Sequence, residues 1–273
     1  MTLPLRAPAL AALIIFTIST GLAIDVAFGV PGQIAVTLWV WGVLTWLCLK
    51  STDELRVRLI ACVWISGIGE IGASLIWRLY DYQFGNVPLF VPPGHALLYL
   101  LGIIVAERLP VRTLAPSGAP VRTLAPSGAP DTLSALVPIL AAPVVAYLAW
   151  TGADTLSLAL FAVFIVFMLF GPEKKLYATM FMIALAMELY GTALGNWTWR
   201  EQVRATSLTT LNPPLAAGVF YCLLDWLVGW RSAVYRRGAM TPGRHSPPRS
   251  ALTLSVPLSV PLSVPSSNQT KQS

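Results

Sequence analysis

Charge is what this chain has least of. Asp, Glu, Lys and Arg make up 11% of its 273 residues, against 56% hydrophobic residues. A soluble domain carries about 25% charged residues, because its surface must be wetted. The shortage excludes a soluble enzyme with one water-facing shell, a disordered chain and a coiled coil. Cysteine and histidine are nearly missing as well, at 3 and 2 residues. Cys48, Cys62 and Cys222 stand in apolar runs without ligand spacing, and they read as small buried hydrophobes rather than a disulfide frame or a zinc site. Two histidines, His95 and His245, cannot build a haem or metal centre, so no cofactor is expected. There is no D-x-x-x-D pair, no H-E-x-x-H, no nucleophile elbow and no P-loop. Gly67-Ile-Gly69-Glu70-Ile-Gly72 fits G-x-G-x-x-G, but it lies in an apolar helical run with no strand before it, which removes the dinucleotide reading. Its small residues suit close helix contact around Glu70, as do those of Gly191-x-x-x-Gly195. Asn196-Trp-Thr and Asn268-Gln-Thr match the glycosylation acceptor, a pattern that arises cheaply.

What the chain does have is long apolar runs, which point to an all-α, polytopic transmembrane helix bundle. Eight runs can be cut, at roughly 8–28, 33–49, 59–79, 92–107, 133–150, 156–171, 176–194 and 213–230. Proline stands at several borders (Pro31, Pro92–Pro93, Pro172, Pro213–Pro214), where a first helical turn tolerates it. With eight spans, Arg78, Arg200 and Arg204 fall on one side of the membrane, and the other fifteen of the 18 Lys and Arg residues share the side of the N-terminus. The positive-inside rule makes that side cytoplasmic and puts both termini there. The same rule accounts for the net charge of +6, so no nucleic-acid partner is expected. The first run also has the marks of a signal peptide, with Arg6 ahead of it and Gly21-Leu22-Ala23 as a small-x-small site.

The bundle is expected over 1–230, in halves of about 1–109 and 131–230. The loop 110–130 between them holds PVRTLAPSGA from Pro110 to Ala119 and again from Pro120 to Ala129. The tail 231–273 is basic and then Ser/Pro/Val-rich, with Leu-Ser-Val-Pro three times over Leu254–Pro265. Loop and tail are expected to be disordered or extended, with the tail arginines available to anionic lipid.

The two halves resemble each other. One carries Glu70, Trp77, Tyr80-Asp-Tyr82, Asn86, Pro92-Pro93 and His95. The other carries Glu188, Asn196-Trp197-Thr-Trp199, Asn212-Pro213-Pro214 and Tyr221. The Glu precedes the Pro pair by 22 residues in one and 25 in the other. Both units run from inside to outside and back, which predicts a parallel repeat of four helices plus four. Such repeats place sites at their interface near mid-membrane.

Three acids sit deep in apolar runs: Glu70, Glu188 and Asp225. An ionised carboxylate at the bilayer centre costs at least ~2.5–3.5 kcal/mol, so such residues turn inward and carry a proton or a partner. A neutral buried carboxylic acid is suited to general acid work. The bland alternative is a fastener, with Glu70 bonded to Ser74 and Glu188 to Thr192, one turn on. The predicted catalytic acids are therefore Glu70, Glu188 and Asp225. The predicted substrate-binding residues are His95, Trp77, Tyr80, Tyr82, Trp197, Trp199 and Tyr221. Their aromatic rings form either an interfacial belt or a π-lined mouth able to stabilise a carbocation. Asp25 reads as interfacial. Arg200 is expected to pair with Glu201 or a lipid headgroup.

The stretch Glu70-x-x-Ala, Tyr80-x-Tyr82, Val87-Pro-Leu and Pro92-Pro93-x-His95 resembles the multi-helix carotenoid hydratases of bacteria and archaea. Those proteins pair an intramembrane Glu with a Gly, here Gly69 or Gly72, and with Tyr-x-Tyr before a Val-Pro-Leu turn. In layout the chain is also similar to the integral membrane terpene cyclases, with one early and one late buried acid, here Glu70 and Asp225. The resemblance implies hydration or cyclisation of an isoprenoid or carotenoid lipid. Three functions thus stay open: an enzyme on an apolar lipid, a small proton-coupled or lipid-handling transporter, and a non-catalytic scaffold subunit. The partners expected are membrane lipids, an apolar small molecule and a second copy of the chain.

Overall fold

The computed structural model describes residues 5–109 and 132–239. The loop 110–130 and most of the tail lie outside the described residues. The chain is mostly helical. Its elements are α1 (Ala7–Lys50), α2 (Asp53–Glu70) running on into π-helical turns (Ile71–Ile76), β1 (Tyr80–Tyr82), α3 (Val91–Arg108), α4 (Thr132–Trp150), α5 (Thr155–Phe170), α6 (Lys174–Leu194), β2 (Trp197–Trp199), and α7 (Phe220–Ala239) behind a 3-10 turn at Ala217–Val219. Four helical stretches are long and apolar enough to cross a membrane: Ala7–Lys50, Asp53–Ile76, Thr132–Trp150 and Lys174–Leu194. Large apolar side chains such as Phe16, Leu38, Trp64, Ile68, Trp150 and Phe170 are exposed on the outside of the bundle, as an apolar solvent would allow and water would not.

The expected runs 8–28 and 33–49 meet in one element that folds back on itself. Gly29 interrupts α1 with φ 61° and ψ −140°, a backbone region that essentially only glycine enters. Pro31 follows, in the opening turn of the second half, where a missing N–H costs nothing. Beyond the break the halves lie side by side. The Phe16 and Trp39 rings are 5.8 Å apart, and Gln33 Nε2 reaches Asp25 Oδ1 at 3.5 Å.

Local chemistry fixes the other helix starts. The Thr52 hydroxyl accepts from Leu55 N, with Asp53 and Glu54 in the first turn of α2, where acids suit the helix dipole. Asp154 caps α5 by accepting from Ser157 N and Ser157 Oγ, and its Oδ2 also accepts from Leu215 N. One buried carboxylate thereby ties the start of α5 to the segment that leads into α7. Pro213 and Pro214 precede that helix rather than open it, so the last expected run starts late. It also ends late: α7 reaches Ala239, and nine residues assigned to the tail are helical.

The packed interior forms two apolar clusters. One joins α1, α2, α3 and α7 around Leu59, Leu97 and Tyr99. The other joins α4, α5 and α6 around Phe164, Tyr177 and Phe181. Between helices, Gly218 lies so close to Phe181 that a Cβ would stand 2.7 Å from its Cα. A feature without a counterpart in the sequence expectation is a two-stranded antiparallel sheet. Tyr80 faces Trp199, Asp81 faces Thr198 and Tyr82 faces Trp197.

Candidate functional site

Glu70 ends α2, buried, where the helix widens into π-helical turns. Such turns are frequent at functional sites. Ten and twelve residues on, β1 presents Tyr80 and Tyr82 on one face, as period-two geometry requires. Both hydroxyls donate to Glu70 Oε2, at 2.7 and 2.6 Å. His95, in the first turns of α3, sets Nε2 at 2.8 Å from Glu70 Oε1, and its Nδ1 lies 2.6 Å from Tyr221 Oη. The network assigns the tautomer: Nε2–H donates to the carboxylate and Nδ1 accepts from the Tyr221 hydroxyl. Glu70 thus collects three donors, a pattern that suits a carboxylate, which can only accept.

Glu188 on α6 is held in the same manner by the other strand. Trp197 Nε1 and Trp199 Nε1, nine and eleven residues on, donate to Glu188 Oε2 at 2.8 and 3.0 Å. Two glycines make this possible. Gly195 ends α6 in the left-handed conformation at φ 88°, and Gly191 leaves room for the Trp197 indole, whose Cη2 would stand 2.1 Å from an added Cβ. Glu188 Oε1 has no hydrogen-bond donor among the described residues. A turn about the Asp81–Thr198 pair exchanges Tyr80 with Trp199 and Tyr82 with Trp197, and so exchanges the clamp on Glu70 with the clamp on Glu188. Across the strands the Tyr80 and Trp199 rings meet tilted at 4.6 Å, and those of Tyr82 and Trp197 meet edge-on at 6.1 Å.

Two cavities adjoin this cluster, and Glu70, Tyr80, His95, Glu188 and Tyr221 line both. One, of about 70 Å³, lies toward α1 against Thr17, Gly21 and Val36. The other, of about 470 Å³, runs between α2 and α7 along Ile68, Gly69, Trp77, Phe220, Leu223 and Leu227. Several of its apolar walls, Ile68, Phe220 and Leu223 among them, are exposed on the flank of the bundle. A long apolar chain could therefore reach the acids from the side.

The structure brings together Glu70, Glu188, His95, Trp77, Tyr80, Tyr82, Trp197, Trp199 and Tyr221 around these two cavities. Trp77 is the most peripheral; it is half-exposed and its Nε1 donates to Arg204 O at 3.3 Å. Asp225 stands apart from them. It lines neither cavity, and it accepts instead from Tyr99 Oη at 2.5 Å, because it sits one turn past Tyr221 on α7. The fastener reading fails in its detail too. Glu70 bonds to Tyr80, Tyr82 and His95 rather than Ser74, and the Thr192 hydroxyl returns to the Glu188 backbone carbonyl.

Asp25 is buried rather than interfacial and accepts from Asn196 Nδ2 at 2.9 Å. With its amide so engaged, Asn196 is closed to glycosylation in the folded protein. Arg200 pairs with neither Glu201 nor only a headgroup. It makes a two-pronged bond to Asp81, at 2.7 and 3.0 Å, across the outer side of the sheet. The Asp81 carboxylate holds the Arg200 guanidinium above its ordinary pKa. Gly67 does pack against Pro92 of α3, but Gly69 and Gly72 have open space where a Cβ would stand, and Gly69 lines the larger cavity. The sequence alone assigns Tyr99 and Asn196 no place in the site. Tyr99 stands four residues after His95, on the same helix face, which is the signal that could have found it.

Among the described residues no three His, Cys, Asp or Glu side chains gather as metal ligands would. No family model matches the chain, and no curated protein or solved structure matches it either.

Proposed function

We propose that the chain is a membrane-embedded enzyme that works on an apolar, isoprenoid-type lipid by carboxylic acid–base chemistry. One observation carries the reading: a buried acid, Glu70, and a half-buried one, Glu188, share the walls of the same apolar cavities, yet only Glu70 has both oxygens engaged. Glu188 suits the acid. In its neutral form Oε2 is the carbonyl that accepts from the two indoles, and the Oε1–H remains for the substrate. The alkene π electrons form a C–H bond to that proton, the O–H electrons stay on Glu188, and a carbocation remains between the Tyr and Trp rings. Glu70 suits the base side. It orients His95, as a carboxylate orients the histidine of a hydrolytic triad, and the dyad accepts the proton released when water adds or when a neighbouring C–H is lost. The first outcome is hydration, and the second is isomerisation or cyclisation.

The same reading includes eight crossings with both termini in the cytoplasm and a parallel repeat of four helices plus four. The fold-back of α1 and the matched clamps on Glu70 and Glu188 support it. Those matched clamps also favour a second reading, a proton-coupled carrier of an apolar cargo. Proton-gradient dependence of uptake into vesicles separates the two. The test of the enzyme is a comparison of apolar lipid extracts by mass spectrometry from a strain lacking the protein, complemented with the wild type or with Glu188→Gln. The expected result is a lipid that gains the mass of one water, or becomes an isomer, with the wild type alone. An unchanged profile at equal expression counts against the enzyme.

A further inference from the structure

Asp225 is a buried acid that this chemistry leaves unused, and its position repeats that of Tyr221. Residues 221 and 225 are one turn apart on α7, and residues 95 and 99 are one turn apart on α3, a rise of about 6 Å in each case. The two helices are joined by two like rungs: His95 Nδ1 to Tyr221 Oη at 2.6 Å, and Tyr99 Oη to Asp225 Oδ1 at 2.5 Å. Arg58 of α2 and Tyr177 of α6 stand around the same Asp225 carboxyl. Arg58 Nε is buried without a hydrogen-bond partner, which leaves a polar atom for water at that point. The Arg58 guanidinium continues outward to Glu54 Oε1 at 3.2 Å, in a pair that solvent reaches. Polar groups therefore run from the Asp53 end of α2 through Arg58, Asp225 and Tyr99 to the rung that holds Glu70. Elsewhere this part of the bundle is packed with Leu, Ile and Val. Titratable chains of this kind within a membrane span mark proton relays.

We propose that Asp225 and Tyr99 form the port through which the mid-membrane site exchanges protons with water at the Arg58 end of the bundle. The proposal rests on the acid–base reading of Glu70 and Glu188, and it makes Asp225 a relay that charges and discharges the Glu70–His95 dyad rather than a catalytic acid. A proton from water is taken by the second oxygen of Asp225. The carboxyl turns that O–H to Tyr99 Oη and gives it the proton, Tyr99 passes its own proton to a bridging water, and the water passes one to Tyr221 Oη as the Tyr221 proton moves to His95 Nδ1 and the His95 Nε2 proton moves to Glu70 Oε1. Every group between the ends gains one proton and loses one, so the net transfer is one proton from water to Glu70. Run backwards, the same steps discharge the proton that the dyad accepts during turnover.

The test is hydrogen–deuterium exchange of the buried carboxyl, imidazole and phenol groups. The full chain is reconstituted in liposomes, no substrate is added, and infrared bands are followed after H2O is replaced by D2O. Wild type, Asp225→Asn, Tyr99→Phe and Glu188→Gln are compared. Asp225→Asn keeps an acceptor for Tyr99 and removes the titratable oxygen; Tyr99→Phe keeps the acid and removes the bridge. The expected result is exchange at least tenfold slower in both variants, with Glu188→Gln like the wild type. Exchange within twofold of wild type in either folded variant overturns the port. The outcome is independent of turnover. A lipid conversion that survives Glu188→Gln removes the acid–base reading without touching the exchange rates, and normal exchange beside a dead Glu188→Gln enzyme removes the port alone.

Discussion

Replacing Gly191 with alanine drives a methyl group into the Trp197 indole. The new Cβ would stand 2.1, 2.4 and 2.7 Å from Cη2, Cζ2 and Cζ3, all in the six-membered ring. The α6 backbone cannot yield without moving Glu188, three residues earlier, so the indole must move and its bond to Glu188 Oε2 must break. Overpacking costs about 1–3 kcal/mol, and an interhelical hydrogen bond in a membrane protein is worth roughly 0.6 kcal/mol, at most about 1.7. The expected loss is therefore about 2–4 kcal/mol, read from equilibrium unfolding of the purified protein in mixed micelles. The decisive step is a double-mutant cycle. Trp197→Phe removes the ring atoms that the methyl would strike, so Gly191→Ala should cost far less in that background, with a coupling of at least ~1 kcal/mol. Strict additivity of the two substitutions would refute the packing of Trp197 over α6 and with it the clamp on Glu188.

Other outcomes follow from the same geometry. Gly29→Ala should destabilise by about 1–3 kcal/mol, because a Cβ does not fit φ 61°, ψ −140°. Gly42→Ala, where a Cβ would meet nothing within 4 Å, should be neutral or slightly stabilising by the same unfolding measurement. Asn196→Ala leaves buried Asp25 with only the long Gln33 contact and should cost about 1–3 kcal/mol; Asn196→Ser, which restores a donor, should recover part of it. Under native conditions in detergent a maleimide should react with Cys48 well before the buried Cys62 and Cys222, with all three reacting in SDS; early loss of Cys62 would contradict the packing of α2.

The helices were legible because a membrane span is a length of apolar sequence, and Pro and Gly punctuate it. Even the hairpin within α1 could be read from Gly29 and Pro31. The pairing of Glu70 with Glu188 came from aligning the two Pro-bounded units, and the structure sets both acids on the same cavities. The partners of those acids were read less well. Tyr-Asp-Tyr and Trp-Thr-Trp are strands of only three residues, too short for alternation to stand out, so the sequence leaves an interfacial belt and an inward-facing mouth both open for their rings. The strand pairing turns them inward as hydrogen-bond donors. Asp225 stands outside the two cavities because depth along a helix says nothing about azimuth; one turn of α7 separates it from Tyr221. Arg200 found Asp81 rather than its neighbour Glu201, since only the register of the sheet brings positions 81 and 200 together.

The most direct measurement is made in D2O. Membranes that contain the wild-type chain, Glu188→Gln or Glu70→Gln are supplied with the apolar lipid that the complementation identifies, and the product is examined for deuterium on carbon. The expected product of the wild type carries one solvent deuterium at the protonated carbon, and both variants form none. Product without carbon-bound deuterium, or deuterated product from Glu188→Gln, would contradict proton donation by Glu188 to an alkene.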